Sequence, residues 1–232
     1  MSQELYDRER VLIAAVAKQI RTLAATTNFD HRPLIGDIWK AGKPIHEDEI
    51  EVSQGRLIYA IGRILQPKNV YEVGIGPGIT AHSLMAACND ISYYGLDNAP
   101  SSYFNHTFDV GAAVAQTIDI LQSNSKGYVQ WDKRDSDAVQ NFRHPHGVID
   151  LIHIDGDHSF DHQKRDVEKA ICSGAEWLLV DDCNDTEVVT ACFAAWKDQW
   201  HRSWRGGLLP FIYFEDSRTG SILFHSGMWK HL

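Results

Sequence analysis

Short apolar segments alternate with helical segments from residue 69 onward, and this alternation constrains the fold more than any other feature of the chain. The candidate strands are Asn69–Val73, Ile91–Leu96, Tyr128–Trp131, Val148–Ile154 and Glu176–Val180, and the helices between and after them are predicted at 80–87, 111–122, 162–172 and 186–200. Successive strands joined by a helix run parallel, because the helix carries the chain back along the sheet. The sequence therefore predicts an α/β protein with a doubly wound, mostly parallel sheet.

The two ends of the chain depart from this alternation. Phe211–Phe214 and Ser221–His225 flank a polar stretch at residues 216–220, which predicts an antiparallel hairpin at one edge of the sheet. Residues 1–68 have helical spacing of apolar residues on both sides of a connection rich in proline and glycine. We expect a helical N-terminal extension over residues 1–68 and a ligand-binding domain over residues 69–232. The extension could cover a site, form an oligomer contact or simply pack on the sheet.

Composition and charge exclude several classes of partner. The chain carries 22 basic and 31 acidic residues, a net charge of −9, whereas a nucleic-acid interface needs a basic surface. The sequence contains no run of about 18 apolar residues, so we expect no membrane-spanning helix. The first 20 residues lack the layout of a signal peptide. The four cysteines form no C-x-x-C pair, so we expect a reduced, cytoplasmic protein without structural zinc. A homodimer is the default oligomer.

A glycine turn joins the first strand of the alternating region to its helix in the segment VYEVGIGPGITAHSLMAA, residues 70–87. Gly74, Gly76 and Gly78 let a ligand approach the backbone, and the helix that follows offers free amide groups. The spacing differs from the G-x-G-x-x-G of dinucleotide-binding proteins. Asp97 ends the next strand, where a carboxylate can accept hydrogen bonds from both hydroxyls of a ribose. Together these residues predict an adenosine-containing ligand.

Acidic residues end two later strands of the predicted sheet. Asp155 follows the strand Val148–Ile154, and Asp181 and Asp182 follow the strand Glu176–Val180. The carboxyl ends of parallel strands lie at one edge of a sheet, so these three carboxylates are expected to converge there. Three converging carboxylates repel one another unless a cation neutralises them, and oxygen ligands suit Mg²⁺, Mn²⁺ or Ca²⁺. The sequence therefore predicts a divalent-cation site.

Two histidines accompany this acidic cluster. His158 comes three residues after Asp155, and an imidazole with an ordinary pKa of about 6.5 can accept a hydroxyl proton at neutral pH. The alternative is that His158 holds Asp155 or the turn in place. His153 stands between two isoleucines, and we expect it to face the other side of the sheet as a hydrogen-bonded buried side chain.

The first of two resemblances to known families concerns the glycine turn. Glu72 precedes Gly74 by two residues, and a carboxylate followed by G-x-G-x-G resembles the first motif of class I S-adenosylmethionine-dependent methyltransferases. The resemblance implies a Rossmann-like methyltransferase fold that binds S-adenosylmethionine through this turn and Asp97. It also implies that Asp135 and Ser136, which follow the third strand, lie near the adenine ring. A helix-capping role for these two residues is an equally good alternative.

The second resemblance concerns IDGDHSFDHQKRDVEKA, residues 154–170. This segment resembles metal-dependent small-molecule O-methyltransferases of the macrolide-sugar and catechol type. The resemblance implies that Asp155, Asp181 and Asp182 bind the metal and that His158 is the general base. Catechol-type enzymes often carry Asp-Asn after the fifth strand, where this chain has Asp-Asp-Cys-Asn. Asn184 is therefore an alternative to Asp182 as a ligand.

These features combine into one leading hypothesis for the function. It is methyl transfer from S-adenosylmethionine to an oxygen of a small-molecule acceptor, assisted by Mg²⁺ or a similar cation. The alternatives are N-methylation of a small molecule, a metal-dependent phosphoesterase and a non-catalytic scaffold that binds the cofactor. The phosphoesterase gives the glycine turn and Asp97 no role. The sequence does not identify the acceptor.

Overall fold

One seven-stranded sheet forms the centre of the protein, with the strand order β3-β2-β1-β4-β5-β7-β6. The computed structural model describes residues 3–35, 48–88, 90–99, 110–200, 211–214 and 220–225. The strands are β1 Asn69–Val73, β2 Ser92–Leu96, β3 Val129–Asp132, β4 Leu151–Ile154, β5 Trp177–Val180, β6 Ile212–Phe214 and β7 Ser221–His225. The helices are α1 Gln3–Thr26, α2 Arg32–Ile35, α3 Asp48–Leu65, α4 Ile79–Ala87, α5 Val110–Asn124, α6 Phe160–Ser173 and α7 Thr186–Trp200, and a 3-10 turn covers Ser136–Ala138.

The strand directions confirm the predicted architecture. The first five strands pair in parallel, and β7 pairs antiparallel with both β5 and β6. The chain is therefore an α/β protein with a mostly parallel, doubly wound sheet and an antiparallel edge hairpin. The strand predicted from Val148 begins only at Leu151, and Val148 itself is exposed. Gly147, with a φ of 115°, ends a short bridge just before this strand and turns the chain into the sheet.

The two faces of the sheet bury different sets of side chains. Val70, Leu151 and Leu179 pack under α1, α3 and α4, whereas alternate residues such as Ile152 and Leu178 pack under α6 and α7. Successive side chains of a strand point to opposite faces, so the pattern of each face continues to the strand ends. This alternation decides which polar side chains meet at the carboxyl edge.

The N-terminal helices are part of the same core as the sheet. Ile20 of α1 and Ile58 and Ile61 of α3 are fully buried in one cluster with the strand residues of that face. Arg21 donates a hydrogen bond to the carbonyl oxygen of Tyr213 on β6 at 2.8 Å, and thereby fixes α1 to the edge hairpin. No helix within the described ranges is long and apolar enough to cross a membrane.

Candidate cofactor and metal site

The glycine turn after β1 lies directly against the end of β4. Gly74 has a φ of 82°, and a side-chain carbon there would lie 1.9 Å from the carbonyl oxygen of Asp155. Gly76 has a φ of 49°, but no described atom lies within 4 Å of the position that its side chain would take. Gly78 forms the N-terminal cap position of α4. The turn is therefore closed on the side of Asp155 and open at Gly76, where a ligand can approach.

Asp97 is bound to the glycine turn itself. Its Oδ2 accepts hydrogen bonds from the amides of Ile75 at 2.8 Å and Gly76 at 3.1 Å, and its Oδ1 accepts from the amide of Ala99 at 2.6 Å. A carboxylate oxygen has two lone-pair sites, so the described residues fill one of the two acceptor positions of Oδ1. From the sequence, we expect Asp97 to accept hydrogen bonds from both hydroxyls of a ribose. That contact stays a prediction, and in this geometry Asp97 also holds the turn in its shape.

Asp135 and Ser136 lie beyond the end of β3, close to the loop that follows β2. The Asp135 carboxylate accepts from the amide of Asp137 at 2.8 Å and from the side-chain amide of Asn98 at 3.0 Å. The Ser136 hydroxyl donates to Asp166 of α6 at 2.9 Å. Asp135 therefore has the capping role that was the alternative in the sequence, while its link to Asn98 keeps it beside the crevice.

Under the glycine turn, three buried polar side chains cross neighbouring strands. Glu72 on β1 accepts a hydrogen bond from the hydroxyl of Tyr93, and one of its oxygens lies 3.0 Å from Nδ1 of His153 on β4. His153 Nε2 lies 4.0 Å from Oδ2 of Asp181 at the end of β5. As expected, His153 is buried, is hydrogen-bonded and faces the side of the sheet opposite to Ile152 and Ile154. Side chains at positions i and i+2 of a strand share a face, so His153 lies on the same side as Asp155.

Burial and charge set the protonation of this group. Burial raises the pKa of the Asp181 carboxyl to about 6, and the negative charge of Asp155 acts in the same direction. Burial opposes a charge on His153, but the hydrogen bond and charge of Glu72 outweigh it and raise the imidazole pKa to about 9. Burial also raises the pKa of Glu72. The group therefore retains protons that balance its carboxylates.

Asp181 also receives a contact that the sequence did not predict. The side-chain amide of Gln54, on α3, donates a hydrogen bond to Oδ2 of Asp181. The hydroxyl of Ser221 donates to Oδ1 at 2.9 Å, and the amide of Asp182 donates to the same oxygen at 3.0 Å. Gln54 lies 127 residues before Asp181. Nothing in the local pattern of the helix distinguishes this glutamine from any other polar residue, so no signal was available to find it.

A second group of polar side chains lies nearer to solvent at the same edge. His158 Nε2 lies 3.5 Å from Oδ1 of Asp155 and 3.2 Å from Oδ2 of Asp182. All three side chains are partly exposed. Burial opposes a charge on His158, but the close carboxylate of Asp155 and the charges around it raise the imidazole pKa to about 9. Without a cation, His158 is therefore held in its protonated form at neutral pH.

The described part of the chain contains three groups of side chains that could hold a metal ion. Two of them share Asp155: an inner group with His153 and Asp181, and an outer group with His158 and Asp182. The ligand atoms of each group lie within 4.8 Å of one another. The three carboxylates predicted as ligands therefore divide between the two groups, with Asp155 common to both. Imidazole and carboxylate donors fit a divalent cation.

The third group lies farther along the carboxyl edge, away from Asp155. It consists of Asp135, Asp137 and His162. Asp137 pairs with Arg165 at 2.7 Å, so its charge is already balanced within the protein. Asn184, the alternative ligand to Asp182, is exposed. The choice between those two residues stays a prediction.

The chain matches a known domain family in sequence and solved methyltransferase structures in fold. Residues 71–183 match the model of a methyltransferase domain family. An O-methyltransferase from Bacillus cereus in complex with SAH superposes with a TM-score of 0.58 at 13% identity, over 92% of this chain and 99% of that chain. The O-methyltransferase TomG from Streptomyces achromogenes, involved in tomaymycin synthesis and bound to SAM, gives a TM-score of 0.51 at 12% identity, over 97% and 99%.

A further solved structure has the same fold. A putative O-methyltransferase from Klebsiella pneumoniae gives a TM-score of 0.54 at 12% identity, over 95% of this chain and 98% of that chain. No curated protein matches the chain by sequence. At these low identities the superpositions establish the shared fold, and they cover the N-terminal helices as well as the sheet.

Proposed function

We propose that this chain, whose residues 71–183 match the model of a methyltransferase domain family, transfers the methyl group of S-adenosylmethionine to an oxygen of a small-molecule acceptor with the help of a divalent cation. The observation that carries the proposal is the contact between Gly74 and Asp155. It brings the turn that would hold the cofactor directly against the backbone of Asp155, the residue whose carboxylate is shared by both metal-capable groups. A methyl donor and an activated acceptor oxygen would therefore meet at one place.

The cofactor would lie along the carboxyl ends of β1, β2 and β3. Glu72, Gly74, Gly76 and Gly78 supply the turn and its buried carboxylate, Asp97 faces the ribose, and Asp135 and Ser136 face the adenine. The open space at Gly76 supports this placement, because a ligand can approach the backbone there without meeting a described side chain. The second acceptor position of Asp97 Oδ1 suits one ribose hydroxyl. The small molecules bound to the two solved O-methyltransferases described above agree with a cofactor of this class.

The acceptor would be activated beside His158. A cation bound by Asp155, Asp181 and Asp182 would lower the pKa of an acceptor hydroxyl as a Lewis acid. The hydroxyl proton would pass to Nε2 of His158, and an oxygen electron pair would form a bond to the methyl carbon. The carbon–sulfur bond breaks, and its electron pair stays on sulfur as the neutral thioether of S-adenosylhomocysteine. Neutralising Asp155 and Asp182 would also remove the cause of the raised pKa of His158, so that the imidazole could act as a base.

The N-terminal region is proposed to complete the catalytic domain. The division at residue 68 separates helices from the alternating strands, but Gln54 of α3 supports the end of β5 through Asp181. We therefore propose that residues 1–68 form a cap whose inner helix shapes the floor of the acceptor site in the 69–232 domain. The homodimer stays a prediction.

One set of assays tests the proposal. The purified protein is incubated with S-adenosylmethionine labelled in its methyl group and a panel of catechols, sugars and hydroxylated amino-acid derivatives. We expect label to reach oxygen, as located by mass spectrometry and NMR of the product, with EDTA abolishing transfer and Mg²⁺ or Mn²⁺ restoring it. Transfer that is undiminished in EDTA would contradict the role of the cation. Label on nitrogen would favour the N-methyltransferase, and failure to bind the cofactor in calorimetry would refute methyl transfer altogether.

A further inference from the structure

His153 is a buried histidine with one ring nitrogen fixed and the other without a hydrogen-bond partner among the described residues. Its side chain is fully buried in the middle of the sheet. Nδ1 lies 3.0 Å from the carboxylate of Glu72, and Nε2 makes no hydrogen bond within the described ranges. Such a buried polar atom without a partner is costly, and it calls for a ligand or a strong charge nearby.

The surroundings of Nε2 are those of a metal ligand. When Nδ1 of an imidazole donates to a carboxylate, Nε2 presents its lone pair on the opposite side of the ring. In many metal sites a carboxylate fixes a histidine in this way and increases its strength as a ligand. Glu72 has the position of that carboxylate, and Oδ2 of Asp181 lies 4.0 Å from Nε2. One ligand atom each of His153, Asp155 and Asp181 lie within 4.8 Å of one another.

The distances favour a cation over a direct contact. Nε2 of His153 and Oδ2 of Asp181 lie 4.0 Å apart, which is beyond hydrogen-bond length. Two ligands that each lie about 2.1 Å from one ion are separated by up to about 4.2 Å. The separation of Nε2 and Oδ2 therefore leaves room for one ion bound to both atoms.

We propose that His153 is the nitrogen ligand of a buried site for a divalent transition-metal ion, with Asp155 and Asp181 as the oxygen ligands. The proposal rests on the proposed function in that this ion would be the cation that assists methyl transfer, with His153 as its third ligand in place of Asp182. A mixed site of one imidazole and two carboxylates favours Mn²⁺, Co²⁺ or Zn²⁺ over Mg²⁺, because Mg²⁺ prefers oxygen ligands and imidazole suits the later metals. The site would therefore differ in selectivity from one built of carboxylates alone.

The inner group is better built for a tightly held ion than the outer one. His153 and Asp181 are almost completely buried, and Gln54 and Ser221 hold the Asp181 carboxylate from two sides. The outer histidine, His158, is partly exposed, as are Asp155 and Asp182 beside it. Fixed ligands with supporting hydrogen bonds lose less freedom when an ion binds.

Pulsed EPR of bound Mn²⁺ tests the proposal without any measurement of activity. The full chain is loaded with Mn²⁺, with and without S-adenosylhomocysteine, and the electron spin echo is examined for coupling to a directly bound imidazole nitrogen. We expect this coupling, and we expect it to change when histidine is labelled with ¹⁵N. The His158→Gln variant should keep the coupling, because the outer histidine is not the ligand. Titration calorimetry of the same samples should give tighter binding of Mn²⁺ and Co²⁺ than of Mg²⁺.

The His153→Gln variant and a matched control identify the ligand. His153→Gln should lose the nitrogen coupling and bind Mn²⁺ roughly 10- to 100-fold more weakly, while Mg²⁺ binding changes less. His144→Gln, at another buried histidine that belongs to none of the three metal-capable groups, should leave the coupling and both affinities unchanged. Should His153→Gln fail to fold, the ¹⁵N-labelled wild type still shows whether a histidine binds the ion. The His158→Gln variant then shows whether that histidine is His158.

Three outcomes would overturn the proposal, and they differ in what they say about methyl transfer. Bound Mn²⁺ without nitrogen coupling would refute the histidine ligand and leave a carboxylate site that can still assist transfer. Coupling that disappears in His158→Gln would assign the ion to the outer group. Absence of cation binding at millimolar concentrations would refute this site and the metal part of the proposed function, while cofactor binding, measured separately, would still test the methyltransferase.

Discussion

Gln54 on α3 donates a hydrogen bond to the buried carboxylate of Asp181 at the carboxyl end of β5. The two residues are 127 positions apart in the chain, and they join the N-terminal helical region to the edge of the sheet where the acidic residues collect. A buried carboxylate needs such donors, because it has lost its hydration. The helical region therefore supports the candidate site as well as covering one face of the sheet.

Removal of this donor should weaken both the fold and the site. Gln54→Met keeps the length of the side chain but donates no hydrogen bond, so Asp181 loses one of its partners. We expect the free energy of unfolding to fall by about 1–3 kcal/mol, measured by urea denaturation, and cation affinity to fall in calorimetry. Gln19→Met, an exposed change on α1, is the control and should alter neither. Equal stability of the two variants would show that the hydrogen bond contributes nothing.

Two glycines of one turn should respond differently to the same substitution. Gly74→Ala places a side-chain carbon 1.9 Å from a carbonyl oxygen of Asp155, so the variant should unfold or separate β1 from the end of β4. Gly76→Ala meets no described atom within 4 Å and should cost only about 1–2 kcal/mol for its positive φ. Because its methyl group enters the proposed ligand space, Gly76→Ala should instead lower the affinity for S-adenosylmethionine. Thermal unfolding and calorimetry separate the two effects, and normal cofactor affinity in Gly76→Ala would place the ligand elsewhere.

His158 should be needed for turnover and not for cofactor binding. His158→Gln removes the proposed proton acceptor while it keeps a polar side chain of similar size between Asp155 and Asp182. We expect S-adenosylmethionine to bind as in the wild type and methyl transfer to fall by about 100- to 10,000-fold. His146→Gln, at an exposed histidine, serves as the control. Wild-type turnover in His158→Gln would exclude it as the base and leave it the role of holding Asp155.

Asp166 should make stability depend on pH below neutrality. Burial raises the pKa of its carboxyl from 3.8 to about 6, although the Ser136 hydroxyl and Lys169 act in the opposite direction. Between about pH 4 and pH 6 the folded chain therefore binds more protons than the unfolded chain, and the free energy of unfolding decreases as the pH rises. The total decrease from this group is roughly 2–3 kcal/mol.

The Asp166→Asn variant isolates this contribution. The amide stays neutral and can still accept the hydrogen bond from Ser136, so the variant should be more stable than the wild type at pH 7.5 and lose the advantage by pH 4. Urea denaturation at several pH values measures the difference. Asp119→Asn, at an exposed carboxyl on α5, should follow the wild-type profile. Parallel profiles for Asp166→Asn and the wild type would contradict the raised pKa.

The architecture of the sheet could be predicted because it follows from the local spacing of apolar residues in the sequence. Runs of apolar residues of strand length, each followed by a helix, give parallel pairing whatever the details of packing. The glycine turn and the acidic strand ends could be predicted for the same reason. The roles of Gly74, Asp97 and Asp155 can be inferred from the residues next to them in the sequence. The class I methyltransferase resemblance rested on these local patterns, and residues 71–183 also match the model of a methyltransferase domain family.

The polar contacts of the site depend on distant parts of the chain, so only the tertiary structure decided them. The register of β1 against β4 sets Glu72 beside His153, 81 residues later, and the packing of α3 sets Gln54 beside Asp181. Beyond the end of β5 the chain turns at Asp182, which has a φ of 53°, so Asp181 is buried while Asp182 lies outward beside His158. The sequence by itself determined the fold and the edge at which the acidic residues gather. Strand register and helix packing, which couple residues far apart in the chain, decided which of those residues face one another.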